Sequence, residues 1–168
     1  MSFVPLRHRH LFDVSRAHYD DDAGRCLYAD LVDAEIEDGR RLVDAGDRAV
    51  AFVPYAAHMP YEIWLAPFEH RASFADASDD ALQAVGALLL RVLAGLRRLL
   101  GDVPYNYVVI SAPNGEQDTP YFLWHVRIIP RLSVPAGFEL GSGMAINTVP
   151  PEQAAERLRA AIGSRPVT

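Results

Sequence analysis

Two residues in the run FLWHVRIIP, His125 and Arg127, have the types and spacing to act together on a phosphate. Side chains at spacing two share one face of a strand, so Leu123, His125 and Arg127 point one way. Phe122, Trp124, Val126 and Ile128 then point the other way, into a core. A neutral imidazole can attack phosphorus, and a guanidinium can hold two phosphate oxygens at once. An arginine two residues away also disfavours the imidazolium, which keeps the nucleophile neutral. The same pattern fits a hydrogen-bonded histidine on a half-exposed strand, so spacing alone leaves both uses open.

The elements that must position this strand are readable from periodicity. Ser78 is an N-cap with Asp79 and Asp80 in the first turn, where the helix dipole favours negative charge. Leu82, Val85, Leu89, Val92, Leu96 and Leu99 then recur at three- and four-residue spacing, which predicts one long amphipathic helix ending near Gly101. Residues 48–54 and 61–67 read as one hairpin. Residues 105–112 and 122–129 read as a second, joined through Asn114-Gly115. A short strand is expected at 144–148 and a last helix at 151–162, opened by Pro151. Residues 1–12, with His8 and His10, read as a flexible arm. Residues 13–168 read as a single α+β domain around a mostly antiparallel sheet.

Composition narrows the possible functions. The chain has 168 residues and a formal net charge of −6, which argues against a nucleic-acid coat. Every one of its 16 basic residues is arginine, so a P-loop lysine and a Schiff-base lysine are excluded. Cys26 is the lone cysteine, so neither an internal disulfide nor a cysteine zinc cluster can form within one chain. No apolar run approaches the roughly 20 residues of a membrane span, and the first ten residues lack a secretory apolar stretch. The expectation is a cytoplasmic protein without membrane or nucleic-acid partners.

The run from Tyr105 to Arg159, YNYVVISAPNGEQDTPYFLWHVRIIPRLSVPAGFELGSGMAINTVPPEQAAERLR, resembles the C-terminal half of galactose-1-phosphate uridylyltransferase, of the histidine-triad superfamily. GRCLYADLVDAEI, AFVPYAAHMPYEIWLAPFEHRASF and the long helix fit the same half, so the resemblance covers about residues 13–162. It implies a histidine-triad-like fold, a five- or six-stranded antiparallel sheet with a long helix against it, commonly as a homodimer.

For function, the resemblance implies a nucleotidyl transferase or hydrolase acting on a nucleotide sugar or nucleoside phosphate through a nucleotidyl-histidine. The alternative is a catalytically degenerate nucleotide or sugar-phosphate binding module, with or without a separate partner half. His125 matches the middle histidine of the triad, while the usual HWHIEILPR reads LWHVRIIPR here; the first histidine is Leu123 and the acidic position is Arg127. The HPH motif of the N-terminal half is absent from the sequence. Phe138 and Glu139, in the glycine-rich segment 136–143, match residues that contact the hexose; a carboxylate suits a sugar because it accepts from two hydroxyls. The glycines there also suit a plain turn. Asn106 and Asn114 flank the strand as possible phosphate donors, with a turn role open for Asn114. A four-ligand zinc site of the relatives maps to Cys26, Ala29, His70 and Leu123, so no structural zinc is expected, and the implied reaction needs no cofactor.

Overall fold

The computed structural model describes residues 4–22, 24–134 and 136–163. In chain order the elements are α1 (Leu6–Asp21), α2 (Leu27–Asp38), β1 (Leu42–Ala45), β2 (Ala49–Phe52), β3 (Ile63–Pro67), α3 (Asp79–Leu100), β4 (Tyr105–Ile110), β5 (His125–Pro130), α4 (Gly137–Ser142) and α5 (Pro151–Ile162). The strands form one antiparallel sheet in the order β1-β2-β3-β5-β4. The expected class, α+β with a long helix on an antiparallel sheet, is the one observed.

α3 starts where Ser78 Oγ accepts the Ala81 N–H at 3.2 Å. Val85, Leu88, Val92 and Leu96 turn one stripe of it onto Ala51, Val53, Ile63, Leu65, Val126 and Ile128 of the sheet. α5 lies beside α3 and buries Ala154, Ala155 and Leu158 in the same core. Gly95 sets their approach, since a Cβ there would stand 2.4 Å from Ile162 Cγ1. The opposite sheet face carries Val50, Phe52 and Ala66, covered by Phe12 of α1 and by Tyr28 and Val32 of α2. Phe12 stacks on Phe122 with centroids 4.1 Å apart.

Several expectations are corrected. The arm proposed over residues 1–12 is, from Leu6 onward, the start of α1; residues 1–3, and 164–168 at the far end, lie outside the described residues. Phe12, Ser15 and Tyr19 form a stripe too narrow to stand out in a polar segment, yet Phe12 and Ser15 are buried. No strand forms at 144–148. There Ile146 N–H donates to Glu139 Oε1 and Val149 N–H to Asn147 Oδ1, so side chains take the bonds a neighbouring strand would have taken. The glycine-rich segment is a short helix, α4, ended by Gly143 at φ 71°. Phe122 packs in the α1–α2 cluster beside Leu123, not in the opposite core, because β5 begins only at His125 and strict alternation does not reach back to it. Among the described residues no helix is long and apolar enough to cross a membrane.

Candidate functional site

His125 and Arg127 share the sheet face under α1 and α2. Strand register sets Ile110 opposite His125, and both Val108 and Trp64 opposite Arg127. That face is covered, so His125 is 2% exposed and not on a half-exposed strand. Its Nδ1–H donates to the Leu123 carbonyl at 3.0 Å, leaving Nε2 with the lone pair of the neutral ring. The ring stacks on Trp64, centroids 4.8 Å apart at 20°, and lies 4.8 Å from the Tyr28 ring.

Burial pushes the His125 pKa from 6.5 down to about 4; the Leu123 carbonyl and Glu62 oppose the fall, and Arg127 adds to it. Burial therefore outweighs the arginine repulsion expected from spacing. The imidazole is neutral at neutral pH.

Arg127 is engaged. Its Nη2–H and Nε–H donate to Glu62 Oε1 at 2.7 and 3.2 Å, and its guanidinium lies 5.3 Å from the Trp64 ring centre. Trp64 Nε1–H donates to the same oxygen at 2.8 Å, and the His58 N–H to Oε2 at 3.0 Å. Burial raises the Glu62 pKa, but the Arg127 charge and these hydrogen bonds outweigh it and hold the carboxyl below its usual range. Tyr61, at φ 60°, turns the chain just before Glu62.

His125, Arg127, Glu62, Trp64 and Tyr28 line a cavity of about 400 Å³, also bounded by Arg7, His10 and Leu11 of α1. The other candidates do not line it. Asn106, exposed on β4, shares the sheet face but sits at the sheet edge opposite Ile129. Asn114 is exposed in the turn beside Gly115, itself at φ 94°. Phe138 is exposed on α4. Glu139 is spent on its own loop, its two oxygens accepting from the Ala136 and Ile146 N–H groups. Glu62 was legible in principle, as a lone carboxylate in the apolar run YEIWLAP two residues before Trp64.

Ala29, His70 and Leu123 border a separate cavity of about 310 Å³, with Cys26 buried in the same apolar cluster as Leu123. Of the four positions only Cys26 and His70 carry donor atoms, and burial raises the Cys26 pKa, which favours a thiol over the thiolate a metal needs. These residues do not fit a closed tetrahedral zinc site.

No protein-family model matches the chain. It is 34% identical over 143 residues to ADP-glucose phosphorylase of Arabidopsis thaliana, covering 84% of this chain and 39% of that protein. It is 28% identical over 165 residues to galactose-1-phosphate uridylyltransferase of Thermotoga maritima, covering 94% and 51%. Among solved structures, a uridylyltransferase mutant superposes with TM-score 0.88 at 30% identity, over 96% of this chain and 54% of that one. The Arabidopsis ADP-glucose phosphorylase with bound ADP-glucose gives 0.82 at 30%, over 94% and 50%. A zinc-bound histidine triad family protein of Mycobacterium smegmatis, at 16% identity and TM-score 0.58, shares the fold over 82% of this chain and 93% of its own. The chain spans about half the length of the curated relatives it matches. It is a half-length homologue of the galactose-1-phosphate uridylyltransferases and ADP-glucose phosphorylase, built on the histidine-triad fold.

Proposed function

We propose that this chain binds a sugar nucleotide or related nucleoside phosphate in the cavity walled by Trp64, His125 and Tyr28, without covalent chemistry of its own. One observation carries the reading: the Arg127 guanidinium near His125 is locked to Glu62, while the rings of Tyr28, Trp64 and His125 line the space. Ring faces stack on heterocyclic bases of any sequence, worth about 1–3 kcal/mol per base. The volume of about 400 Å³ falls within the usual range of small-molecule sites. That an Arabidopsis relative was solved with ADP-glucose supports the ligand class. The test is calorimetric titration with ADP-glucose, UDP-glucose, AMP and UMP, paralleled by tryptophan fluorescence in a Trp124→Phe variant that leaves Trp64 as reporter. Quenching that saturates with the heat signal is expected. No response to any of the four at millimolar concentration sinks the reading.

A second reading rests on the Nδ1–Leu123 contact, which presents Nε2 as a nucleophile. In it Nε2 bonds to the α-phosphorus of a nucleotide sugar and the bond to the leaving sugar phosphate breaks. A sugar phosphate or water then takes the nucleotidyl group, so the chain is a transferase or a hydrolase. Arg127 stabilises the developing charge only by exchanging Glu62 for the phosphate. Intact-protein mass spectrometry decides: a nucleotidyl adduct, or released nucleotide, on wild type and not on His125→Ala establishes this reading and overturns the first. We also propose a homodimer through β4, an edge strand with Tyr105 and Tyr107 exposed, checked by sedimentation.

A further inference from the structure

We propose that α1 forms the anion-binding end of this cavity, with Arg7 and His10 holding the phosphates of a nucleotide whose base lies against Trp64 and His125. The inference rests on the binding reading above and adds to it a polarity and two residues. Arg7, His10 and Leu11 fall at i, i+3 and i+4, one face of a helix, and all three border the cavity. The helix is fixed one to three turns further on, by the Phe12–Phe122 stack and by Arg16, whose Nη2–H donates to Tyr121 Oη at 2.7 Å.

Charge around the cavity is unevenly shared. Its two carboxylates are each already paired, Glu62 with Arg127 at 2.7 Å and Glu35 with Arg41 at 2.7 Å. Arg7 and His10 make no ion pair and no side-chain hydrogen bond among the described residues. The carboxylates of the cavity are therefore charge-balanced, while α1 contributes a guanidinium with its donor fork unused. A nucleotide has the matching polarity, a flat ring at one end and phosphate oxygens at the other. Arginine binds such oxygens in pairs, and a histidine ring nitrogen adds a donor.

Calorimetry with ADP-glucose and UDP-glucose, and with adenosine and uridine, tests this on wild type, Arg7→Ala, Arg7→Glu and His10→Ala. Arg9→Ala, an exposed change on the same helix that does not border the cavity, is the control for net charge. Circular dichroism checks that α1 persists. Arg7→Ala should weaken the sugar nucleotide about tenfold, the size of one lost charge-assisted bond. Arg7→Glu should weaken it further and His10→Ala severalfold, with nucleoside binding unchanged and Arg9→Ala like wild type. If wild type binds sugar nucleotides but both Arg7 variants bind them equally well, this proposal falls and the binding reading stands. Equal wild-type affinity for nucleoside and sugar nucleotide has the same meaning. If wild type binds none of the four, the binding reading fails first and takes this one with it.

Discussion

Acid should strip stability from this fold before most of its carboxylates protonate, and His125 should be the cause. The buried ring is neutral, and burial sets its pKa at about 4 against 6.5 for an ordinary histidine. Between those values the unfolded chain binds a proton that the folded chain refuses. Stability is therefore complete above pH 6.5 and falls as pH drops toward 4, at about 1.4 kcal/mol per pH unit. Across the whole interval the loss is about 3 kcal/mol, a large share of the 5–15 kcal/mol typical of a domain. His70 is also lowered by burial and pushes the same way, whereas Glu35, raised by burial, pushes the opposite way. Asp30, Glu62, Glu69 and Glu152 are lowered, so their contributions are lost mainly below this window.

Only a variant isolates the histidine. Urea unfolding followed by tryptophan fluorescence at pH 7.5, 6.5, 5.5 and 4.5 gives the slope for wild type, His125→Gln and His70→Gln. The readout is the change with pH, so a constant loss of packing in His125→Gln does not obscure it. Wild type and His70→Gln should both fall steeply, and His125→Gln should be much flatter. A His125→Gln slope equal to that of wild type would refute the burial argument.

Breaking the inner ion pair should cost more than any surface change. Glu62→Gln or Arg127→Met alone should each remove about 3–5 kcal/mol by stranding a buried partner, and the double variant should lose less than the sum, measured by a double-mutant cycle in urea. The helix glycines should respond in opposite directions. Gly95→Ala, whose Cβ collides with Ile162, should lower the unfolding midpoint by the equivalent of about 1–3 kcal/mol, while Gly86→Ala, with open space around it, should raise stability by about 0.5–1 kcal/mol. Wild type should retain only substoichiometric zinc after dialysis, by elemental analysis. The double variant Ala29→Cys with Leu123→His, which restores four donor positions, should retain about one equivalent.

Legibility in the sequence followed the strength of each local signal. α3 was plain because its apolar stripe runs for six turns and Ser78 caps it; α5 was plain because Pro151 opens a short periodic run. Both hairpins were placed, and Asn114-Gly115 marked the turn region of the second. α1 was lost because only Phe12 and Ser15 are buried in 16 residues, too few to raise a periodicity above a polar background. The strand expected at 144–148 had suitable residues, but strand formation depends on a neighbour to pair with, and Glu139 and Asn147 supplied the hydrogen bonds first. At the candidate site, spacing two was enough to set His125 and Arg127 on one strand face. Their surroundings were not legible, because the helices that bury His125 and the carboxylate that claims Arg127 come from segments 65 or more residues upstream.

Glu62 is the residue that changes what the site can do. An arginine at 127 without it would place an uncompensated charge beside a buried imidazole, in a space walled by Phe52, Tyr28 and Trp64. With it, three donors converge on one carboxylate oxygen and a fourth takes the other, so β3 and β5 are tied together at the point where a phosphate would need a cation. Phosphoryl transfer needs positive charge placed in advance where negative charge develops. Here that charge is already neutralised, and exchanging it for a phosphate would leave Glu62 buried without its partner. What survives inside is a set of ring faces and a neutral histidine, chemistry suited to holding a base. The guanidinium with unused donors is that of Arg7 on α1, which borders the same cavity as the rings.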